Sequence, residues 1–265
     1  MTTKTIINII NTVSRAGKAI LDIYDSGDFG VEIKADNSPL TLADQAANKV
    51  ILETLEKMEY PILSEEGKHL AYQDRKDWDK FWLVDPLDGT KEFIKKNGEF
   101  TINVALIEKG HAVMGFVYAP ILKDFYLGVK QDLAVKFTIN PGEQIEEIPK
   151  NALEIKVKQA EKEIIVVASR SHFNEETEGF INQLKEKYPK VDFISKGSSL
   201  KLCMVAEGSA HIYPRFGPTM EWDTAAAHAV VIAAGGQVLT PEGGELLYNK
   251  ENLLNPYFIV EHAIR

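Results

Sequence analysis

Residues 81–90 read FWLVDPLDGT and join an apolar run to an acidic turn. The apolar run is typical of a buried strand, and Asp85 ends it abruptly. Pro86 stiffens the turn and Gly89 allows a sharp bend, which leaves the carboxylates of Asp85 and Asp88 three residues apart. Because Mg²⁺ takes oxygen ligands and is usually held by one or two carboxylates, this spacing suits a metal site but does not by itself favour one. An ordinary Asp-rich turn is the alternative.

A second apolar run, residues 61–63, also ends in acid, because Glu65 and Glu66 follow it after one serine. If a sheet places these two predicted strands side by side, Glu65 lies next to Asp85. A solvated acidic loop is the alternative interpretation. A shared carboxylate site at the ends of the two strands would thus depend on their pairing, and the acidic pair taken alone favours the solvated loop.

Two further aspartates stand at predicted helix starts. Asp223 opens an apolar helix predicted over residues 222–234, where it could simply cap the helix or meet the positive end of its dipole. Asp44 lies three residues after Thr41, as in a capping box. Each aspartate taken alone has an ordinary structural explanation, and only their combination with the acidic turn suggests a site.

The remaining pattern predicts two regions. A helix is expected over residues 4–25 and another from Thr41. Three strands then form an antiparallel meander: residues 100–107, 111–118 and 124–129. The pattern weakens over residues 130–163. Beyond it, strands at residues 164–168, 191–194, 210–213 and 237–239 alternate with predicted helices, which favours a largely parallel sheet. We predict an N-terminal α+β domain, residues 1–150, with most metal ligands, and a C-terminal α/β domain, residues 151–265.

Composition limits the classes of partner. The 265 residues include 45% hydrophobic side chains and carry a formal charge of −9, so a large core is expected and a nucleic acid polymer is disfavoured as a partner. The single cysteine, Cys203, excludes an intramolecular disulfide and fits a reducing compartment. No stretch has the signal-peptide or transmembrane pattern. We therefore expect a cytoplasmic protein, with a peripheral position at the inner face of the cell membrane as an alternative.

Two of these segments resemble known signatures. Residues 85–90 (DPLDGT) and 222–226 (WDTAA) match, in order and separation, the two motifs of the inositol monophosphatase-like superfamily. Four further segments closely resemble the bacterial 3'(2'),5'-bisphosphate nucleotidases within it: residues 91–93 (KEF), 168–172 (ASRSH), 197–201 (GSSLK) and 213–219 (YPRFGPT). The resemblance covers nearly the whole chain. It implies a layered α/β sandwich with an antiparallel N-terminal sheet and a mostly parallel C-terminal sheet.

The resemblance also implies a metal site. Glu65, Asp85 and the backbone carbonyl of Leu87 would bind one Mg²⁺, and Asp85, Asp88 and Asp223 would bind a second; a third ion is an option. The resemblance further implies Asp44, Glu65 and Thr90 as catalytic groups near the reacting water. Around the phosphate it implies Glu65, Leu87, Asp88, Gly89, Thr90 and Asp223.

For the rest of the substrate, the resemblance implies contacts from His172, Ser198, Lys201 and Arg215 to the adenosine or its second phosphate. Lys201 and Arg215 suit a 5'-phosphate because each carries a positive charge; for each residue, an ordinary surface side chain is the alternative. The implied reaction converts adenosine 3',5'-bisphosphate to AMP and phosphate, with the 5'-phosphosulfate derivative as a second substrate and with inhibition by lithium.

Two other functions stay open at this point. Inositol and sugar monophosphatases of the same superfamily usually carry Thr-Asn-Phe where this chain has Lys91-Glu92-Phe93, which favours the nucleotidase. A non-catalytic metal-binding scaffold would be expected to have lost a ligand, and every implied ligand is present. The expected partner is thus a small nucleoside bisphosphate, and the protein is expected to be a monomer or a homodimer.

Overall fold

The computed structural model describes residues 1–33, 39–68, 70–168 and 174–263. Its helices are α1 (Thr3–Ser26), α2 (Leu42–Leu55), α3 (Tyr72–Arg75), α4 (Thr90–Ile94), α5 (Glu175–Lys187), α6 (Leu200–Ala206) and α7 (Glu221–Ala233). Its strands are β1 (Glu32–Ile33), β2 (Pro39–Leu40), β3 (Ile62–Ser64), β4 (Lys80–Asp88), β5 (Thr101–Glu108), β6 (His111–Ala119), β7 (Asp124–Val129), β8 (Leu133–Thr138), β9 (Leu153–Glu154), β10 (Glu163–Ala168), β11 (Lys190–Ser195), β12 (Ile212–Arg215), β13 (Gly236–Leu239) and β14 (Phe258–His262).

The predicted helix starts are confirmed by their caps. The Thr2 side chain accepts a hydrogen bond from the first turn of α1, and Gly27 ends that helix with a left-handed φ of 77°. Thr41 and Asp44 form the capping box of α2, and Asn174 caps α5. Even α1, with 24 residues, lacks the apolar character of a membrane span, and the same holds for every other helix in the described ranges.

The first sheet has 7 strands in the order β3-β4-β5-β6-β7-β8-β9. The predicted meander is confirmed, since β4 to β9 pair antiparallel along the chain, and only β3 and β4 run parallel. Strands β8 and β9 lie where the sequence pattern was weak. Strand β9 is hard to recognise because it has only two residues and both are exposed. This sheet therefore extends to Glu154, close to the predicted domain boundary.

The second sheet has 5 strands in the order β11-β10-β12-β14-β13. Parallel pairing, which the alternation of strands and helices predicted, joins β10 to β11 and β12. Strand β14, which the sequence reading did not identify, pairs antiparallel with both β12 and β13 and makes the sheet mixed. The division into two domains stays a prediction, but the two sheets do divide the chain between β9 and β10.

The sheets and helices alternate in layers. Helices α1 and α2 cover one face of the first sheet, while α7 packs on the other face against β5, β6 and β7. Helix α6 lies beside α7 and contacts β10, β12 and β14, and α5 packs outside the second sheet. One buried core cluster includes residues of both sheets and of α6 and α7. Helix α7 is therefore fixed to the sheet that contains the acidic turn.

A pair of glycines allows this close approach of α7. Gly115 on β6 and Gly128 on β7 are neighbours in register. A Cβ atom at Gly115 would lie 1.9 Å from the Ala226 carbonyl oxygen, and one at Gly128 would lie 2.5 Å from the Val230 Cα. The contacts are with backbone atoms, so a side chain at either glycine would push the whole helix away from the sheet.

We expect Gly115→Ala to lower the free energy of unfolding by about 2–4 kcal/mol, because the overpacked helix must shift. Gly179→Ala is the matched control: Gly179 lies within α5, and a Cβ there meets no atom of the described part of the chain within 4 Å. That control should raise stability by about 0.5–1 kcal/mol through helix propensity. Urea unfolding of both variants measures the difference, and equal stability of the two would contradict the packing argument.

Candidate active site

Three carboxylates meet where β3 and β4 end and α7 begins. Ser64 and Val84 are partners in parallel register, and the Glu65 N–H continues this pairing by donating to the Val84 carbonyl at 3.0 Å. Glu65 and Asp85 are thus brought side by side, as the sequence predicted. Asp223 joins them from the first turn of α7, and one carboxylate oxygen of each residue lies within 4.8 Å of the others. We call these three residues the acidic cluster.

The charges of the acidic cluster oppose one another. Burial, followed by the nearby Glu65, Asp88, Asp223 and Asp44 carboxylates, raises the pKa of Asp85 well above its ordinary value. Burial and the Asp88 carboxylate likewise raise the pKa of Asp223. A hard divalent cation would remove this repulsion, and carboxylate oxygens are the ligands that such a cation prefers. The acidic cluster therefore fits a metal site.

Asp44 and Thr90 lie beside the acidic turn. The Leu87 N–H donates to the Asp85 carboxylate at 3.0 Å, and the Thr90 Oγ1 lies 3.4 Å both from an Asp44 carboxylate oxygen and from the Leu87 carbonyl. The other Asp44 oxygen accepts the Thr41 N–H at 2.7 Å. Asp44 thus caps α2, as expected, and in addition faces the hydroxyl of Thr90.

Asp88 is held by the loop between β11 and α6. Its Oδ2 accepts hydrogen bonds from the Ser199 N–H at 2.6 Å and the Ser198 hydroxyl at 2.8 Å. On β5, Thr101 and Asn103 contact the Ser199 hydroxyl, each at 2.8 Å. One oxygen of Asp88 is fixed by these contacts, so its orientation is set by the second half of the chain.

Sequence reasoning missed Thr101, Asn103 and Ser199. A signal was available, because Thr101 and Asn103 are the polar residues at alternate positions of an otherwise apolar strand, and Asp88 and Asp85 are their register partners. Two polar side chains on one face of a buried strand require partners. The acidic turn on the neighbouring strand supplies the nearest candidates.

An open cavity extends from Asp88 and Asp223 to two buried cationic residues. Its lining consists of Asp88, Gly89, Lys91, Glu92, Lys196, Gly197, Ser198, Ser199, Lys201, Leu202, Tyr213, Arg215, Thr219, Asp223, Thr224 and Phe258. Lys201 and Arg215 are only 6% and 8% exposed. The structure therefore places most of the predicted phosphate and nucleoside residues around one cavity.

The two cationic side chains are incompletely neutralised. Lys201 Nζ donates to the Ser198 carbonyl at 2.5 Å, and burial lowers the pKa of Lys201 to about 8. Arg215 donates to the Pro218 carbonyl at 2.8 Å, while its buried Nε has no hydrogen-bond partner among the residues that the structure describes. Buried polar groups normally have partners, so this end of the cavity suits an anion.

The remaining predicted residues are placed as follows. Gly89 has a φ of 92° and caps α4, where a side chain would be strained. Ser198 also has a left-handed φ, 55°, and lines the cavity. His172 lies outside the described residues. All other predicted metal, catalytic and substrate residues are described at or next to the acidic cluster and its cavity.

Comparison with known proteins agrees with this geometry. A model of the inositol monophosphatase family matches residues 2–261. The curated 3'(2'),5'-bisphosphate nucleotidase CysQ of Salmonella typhimurium is 46% identical over 249 residues, which cover 92% of this chain and 94% of that protein. CysQ of Escherichia coli K12 is 45% identical, with the same coverage.

Solved structures give the same answer. The crystal structure of CysQ from Bacteroides thetaiotaomicron, a bacterial member of the inositol monophosphatase family, aligns with a TM-score of 0.89 and 46% identity over 98% of this chain and 97% of that chain. The suhB protein of Bartonella henselae aligns with a TM-score of 0.73 at 21% identity over 97% of this chain and 93% of that chain, which supports the fold alone. This chain belongs to the inositol monophosphatase family.

Proposed function

We propose that this chain is a Mg²⁺-dependent 3'(2'),5'-bisphosphate nucleotidase that hydrolyses adenosine 3',5'-bisphosphate to AMP and phosphate. The observation that carries the proposal is the cavity that extends from Asp88 and from Asp223 of the acidic cluster to Lys201 and Arg215. A substrate with two phosphates would place one at each end. The CysQ relatives, 45–46% identical over nearly their whole length, support the same activity.

The donor set suits two Mg²⁺ ions. We propose that Glu65, Asp85 and the Leu87 carbonyl would hold one ion, and that Asp85, Asp88 and Asp223 would hold the other. When bound, the ions would supply an activated water and charge stabilisation at the phosphate. Gly89 and Thr90 would receive phosphate oxygens, since the absence of a side chain at Gly89 permits close approach of the backbone.

Thr90 and Asp44 are suited to remove the proton of the attacking water. The Thr90 hydroxyl faces Asp44 Oδ1, while Oδ2 is held by Thr41. We propose that Thr90 takes the proton from water as it passes its own proton to Asp44. The water oxygen then forms a bond to phosphorus, and the bond from phosphorus to the 3' oxygen breaks. The departing 3' oxygen keeps the electron pair of that bond and takes up a proton from solvent water. Glu65 is the alternative acceptor.

At the other end of the cavity, we assign Lys201 and Arg215 to the 5'-phosphate, with Ser198 and His172 as further substrate contacts. The 5'-phosphosulfate derivative would fit the same cationic end, because it too carries negative charge there. The third metal ion, the monomeric or dimeric state and the cytoplasmic location stay predictions from the sequence.

A panel of substrates tests this function. Phosphate release from adenosine 3',5'-bisphosphate, inositol 1-phosphate and fructose 1,6-bisphosphate is measured at matched Mg²⁺ concentrations. We expect kcat/KM to be at least about 100-fold higher for the nucleotide, because inositol 1-phosphate has no second phosphate for the cationic end and fructose 1,6-bisphosphate has no nucleoside for the rest of the cavity. A preference for inositol phosphate would contradict the proposal, and no hydrolysis of any ester would favour the scaffold alternative.

A further inference from the structure

Glu221 carries a fully buried carboxylate two residues before Asp223. The residue is 0% exposed and does not line the cavity, although the sequence places its charge close to the site. Its carboxylate accepts hydrogen bonds from the Asn249 N–H at 2.7 Å and the Lys250 N–H at 2.9 Å. The Lys250 ammonium adds an ion pair at 2.6 Å. A buried charge with this many partners fixes the start of α7 to a distant segment of the chain.

Residues 249–255, which we call the clasp, surround the start of α7. The Leu253 carbonyl accepts the Glu221 N–H at 2.9 Å. The Asn255 side chain donates to the Met220 carbonyl at 2.8 Å and contacts the Thr224 hydroxyl at 3.1 Å. The clasp thus binds polar groups on both sides of Asp223 without touching its carboxylate in any of these contacts.

Arg75 holds the clasp from the opposite side. This arginine is 2% exposed and lies in α3, the first helix after Glu65 along the chain. Its guanidinium donates to the Asn249 side chain and the Lys250 carbonyl, both at 2.8 Å, and to the Glu251 carbonyl at 3.0 Å. The Asn249 side chain returns a hydrogen bond to the Arg75 carbonyl at 2.8 Å. The clasp therefore links the segment that follows Glu65 to the helix that carries Asp223.

The position of this linkage matters because the acidic cluster repels itself. Asp223 lies in the first turn of α7, and helix ends fray when nothing holds them. With like charges from Glu65 and Asp85 close by, a free helix start would relax by moving Asp223 away from them. The hydrogen bonds to Glu221 oppose such a movement, since they fix the same turn of the helix.

We propose that Glu221 is a positioning residue which, through Lys250 and the Arg75-bound clasp, keeps Asp223 in place to bind metal. The inference rests on the proposed function only for the presence of a metal. It predicts that the first turn of α7 is ordered before metal binds, and that loss of the Glu221 charge weakens metal binding more than it weakens the chemistry.

The test compares two identical chemical changes, Glu221→Gln and Glu251→Gln. Glu251 lies in the clasp, but its side chain is exposed. Free Mn²⁺ measured by electron paramagnetic resonance should show a dissociation constant about tenfold higher for Glu221→Gln and within about twofold of wild type for Glu251→Gln. The Mg²⁺ concentration for half-maximal turnover should rise in parallel, while saturating Mg²⁺ should restore most of kcat. Uniform loss of kcat at every Mg²⁺ concentration would point to general destabilisation and would overturn the proposal.

Two further measurements test the proposal even if Glu221→Gln does not fold. If Glu221→Gln does not fold, the double variant Glu221→Gln, Lys250→Met removes both charges of the pair, and it should show the same weakened Mn²⁺ binding. Hydrogen exchange on the metal-free wild type needs no variant: amides of residues 221–226 should be protected. Exchange that is fast without metal and slow with Mn²⁺ would overturn the proposal, as would wild-type Mn²⁺ affinity in a folded variant. Failure of nucleotide hydrolysis alone, with Mn²⁺ binding intact, would contradict the proposed function but not the role of Glu221.

Discussion

Replacing Asp85 with asparagine should lower kcat for adenosine 3',5'-bisphosphate by at least about a thousandfold at saturating Mg²⁺. Asp85 is the one carboxylate assigned to both ions, and it is 1% exposed within the acidic cluster. Asparagine retains the size of the side chain and an oxygen to accept the Leu87 N–H, but it removes the negative charge that would help to hold both ions. Phosphate release under steady-state conditions measures the loss.

Asp79→Asn is the matched control, because it makes the same change at an exposed residue just before β4. Its activity should stay within about twofold of wild type. If Asp85→Asn retained activity close to that of the control, the assignment of metal ligands would be wrong. Loss of activity in both variants would instead indicate that the Asp-to-Asn change damages this part of the fold, and not a metal ligand in particular.

The Asp85→Asn variant should be more stable than wild type when metal is removed. The pKa of Asp85 is raised in the folded protein, so the folded state holds this proton to a higher pH than the unfolded state does. The contribution of Asp85 to stability therefore falls as pH rises from its ordinary pKa towards the raised one. Asparagine does not titrate, so in EDTA the stability advantage of Asp85→Asn should be present at pH 7 and shrink as pH falls towards 4. Thermal unfolding at the two pH values checks the sign.

The carboxylates of the site could be predicted from the sequence, because each stands at the end of a strand or the start of a helix. Glu65 and Asp85 follow apolar runs whose lengths and endings are visible in the sequence, and parallel pairing of β3 and β4 brings them together. Asp223 and Asp44 are visible as helix caps, and both do accept backbone hydrogen bonds in that role. Local rules therefore located the carboxylates, whereas only their combination indicated a metal.

Contacts between distant segments were not predictable in this way. The ion pair between Glu221 and Lys250 joins residues from different segments of the chain, and the sequence around either residue does not indicate which residue it will pair with. Strand β14 is short and follows a long irregular segment, so its antiparallel place between β12 and β13 does not follow from the alternation of strands and helices. The support of Asp88 by Ser199 depends likewise on where the second sheet lies against the first. Such pairings are set by packing of the whole chain, not by local propensity.

Lys201→Met should raise KM for adenosine 3',5'-bisphosphate by about 30- to 100-fold and leave KM for 3'-AMP nearly unchanged. The two substrates share the nucleoside and the reacting phosphate, and they differ only in the 5'-phosphate that we assign to Lys201 and Arg215. A hydrogen bond between charged groups contributes about 1.5–3 kcal/mol, and the expected 30- to 100-fold rise in KM lies within that range. Methionine fills a similar buried volume, so the free energy of unfolding should be equal or higher. Initial rates with each substrate, together with urea unfolding, separate binding from stability.

The pH dependence of kcat/KM tests the role of Lys201 most directly. Because burial lowers the pKa of Lys201 to about 8, the free wild-type enzyme loses this charge as pH rises through that value. Its kcat/KM for the bisphosphate should therefore fall above pH 8, and Lys201→Met should lack that fall. Lys187→Met, at an exposed position near the end of α5, should keep it. A fall of equal size with 3'-AMP would show that Lys201 acts on the reacting phosphate, because the 5'-phosphate is the only group that the two substrates do not share.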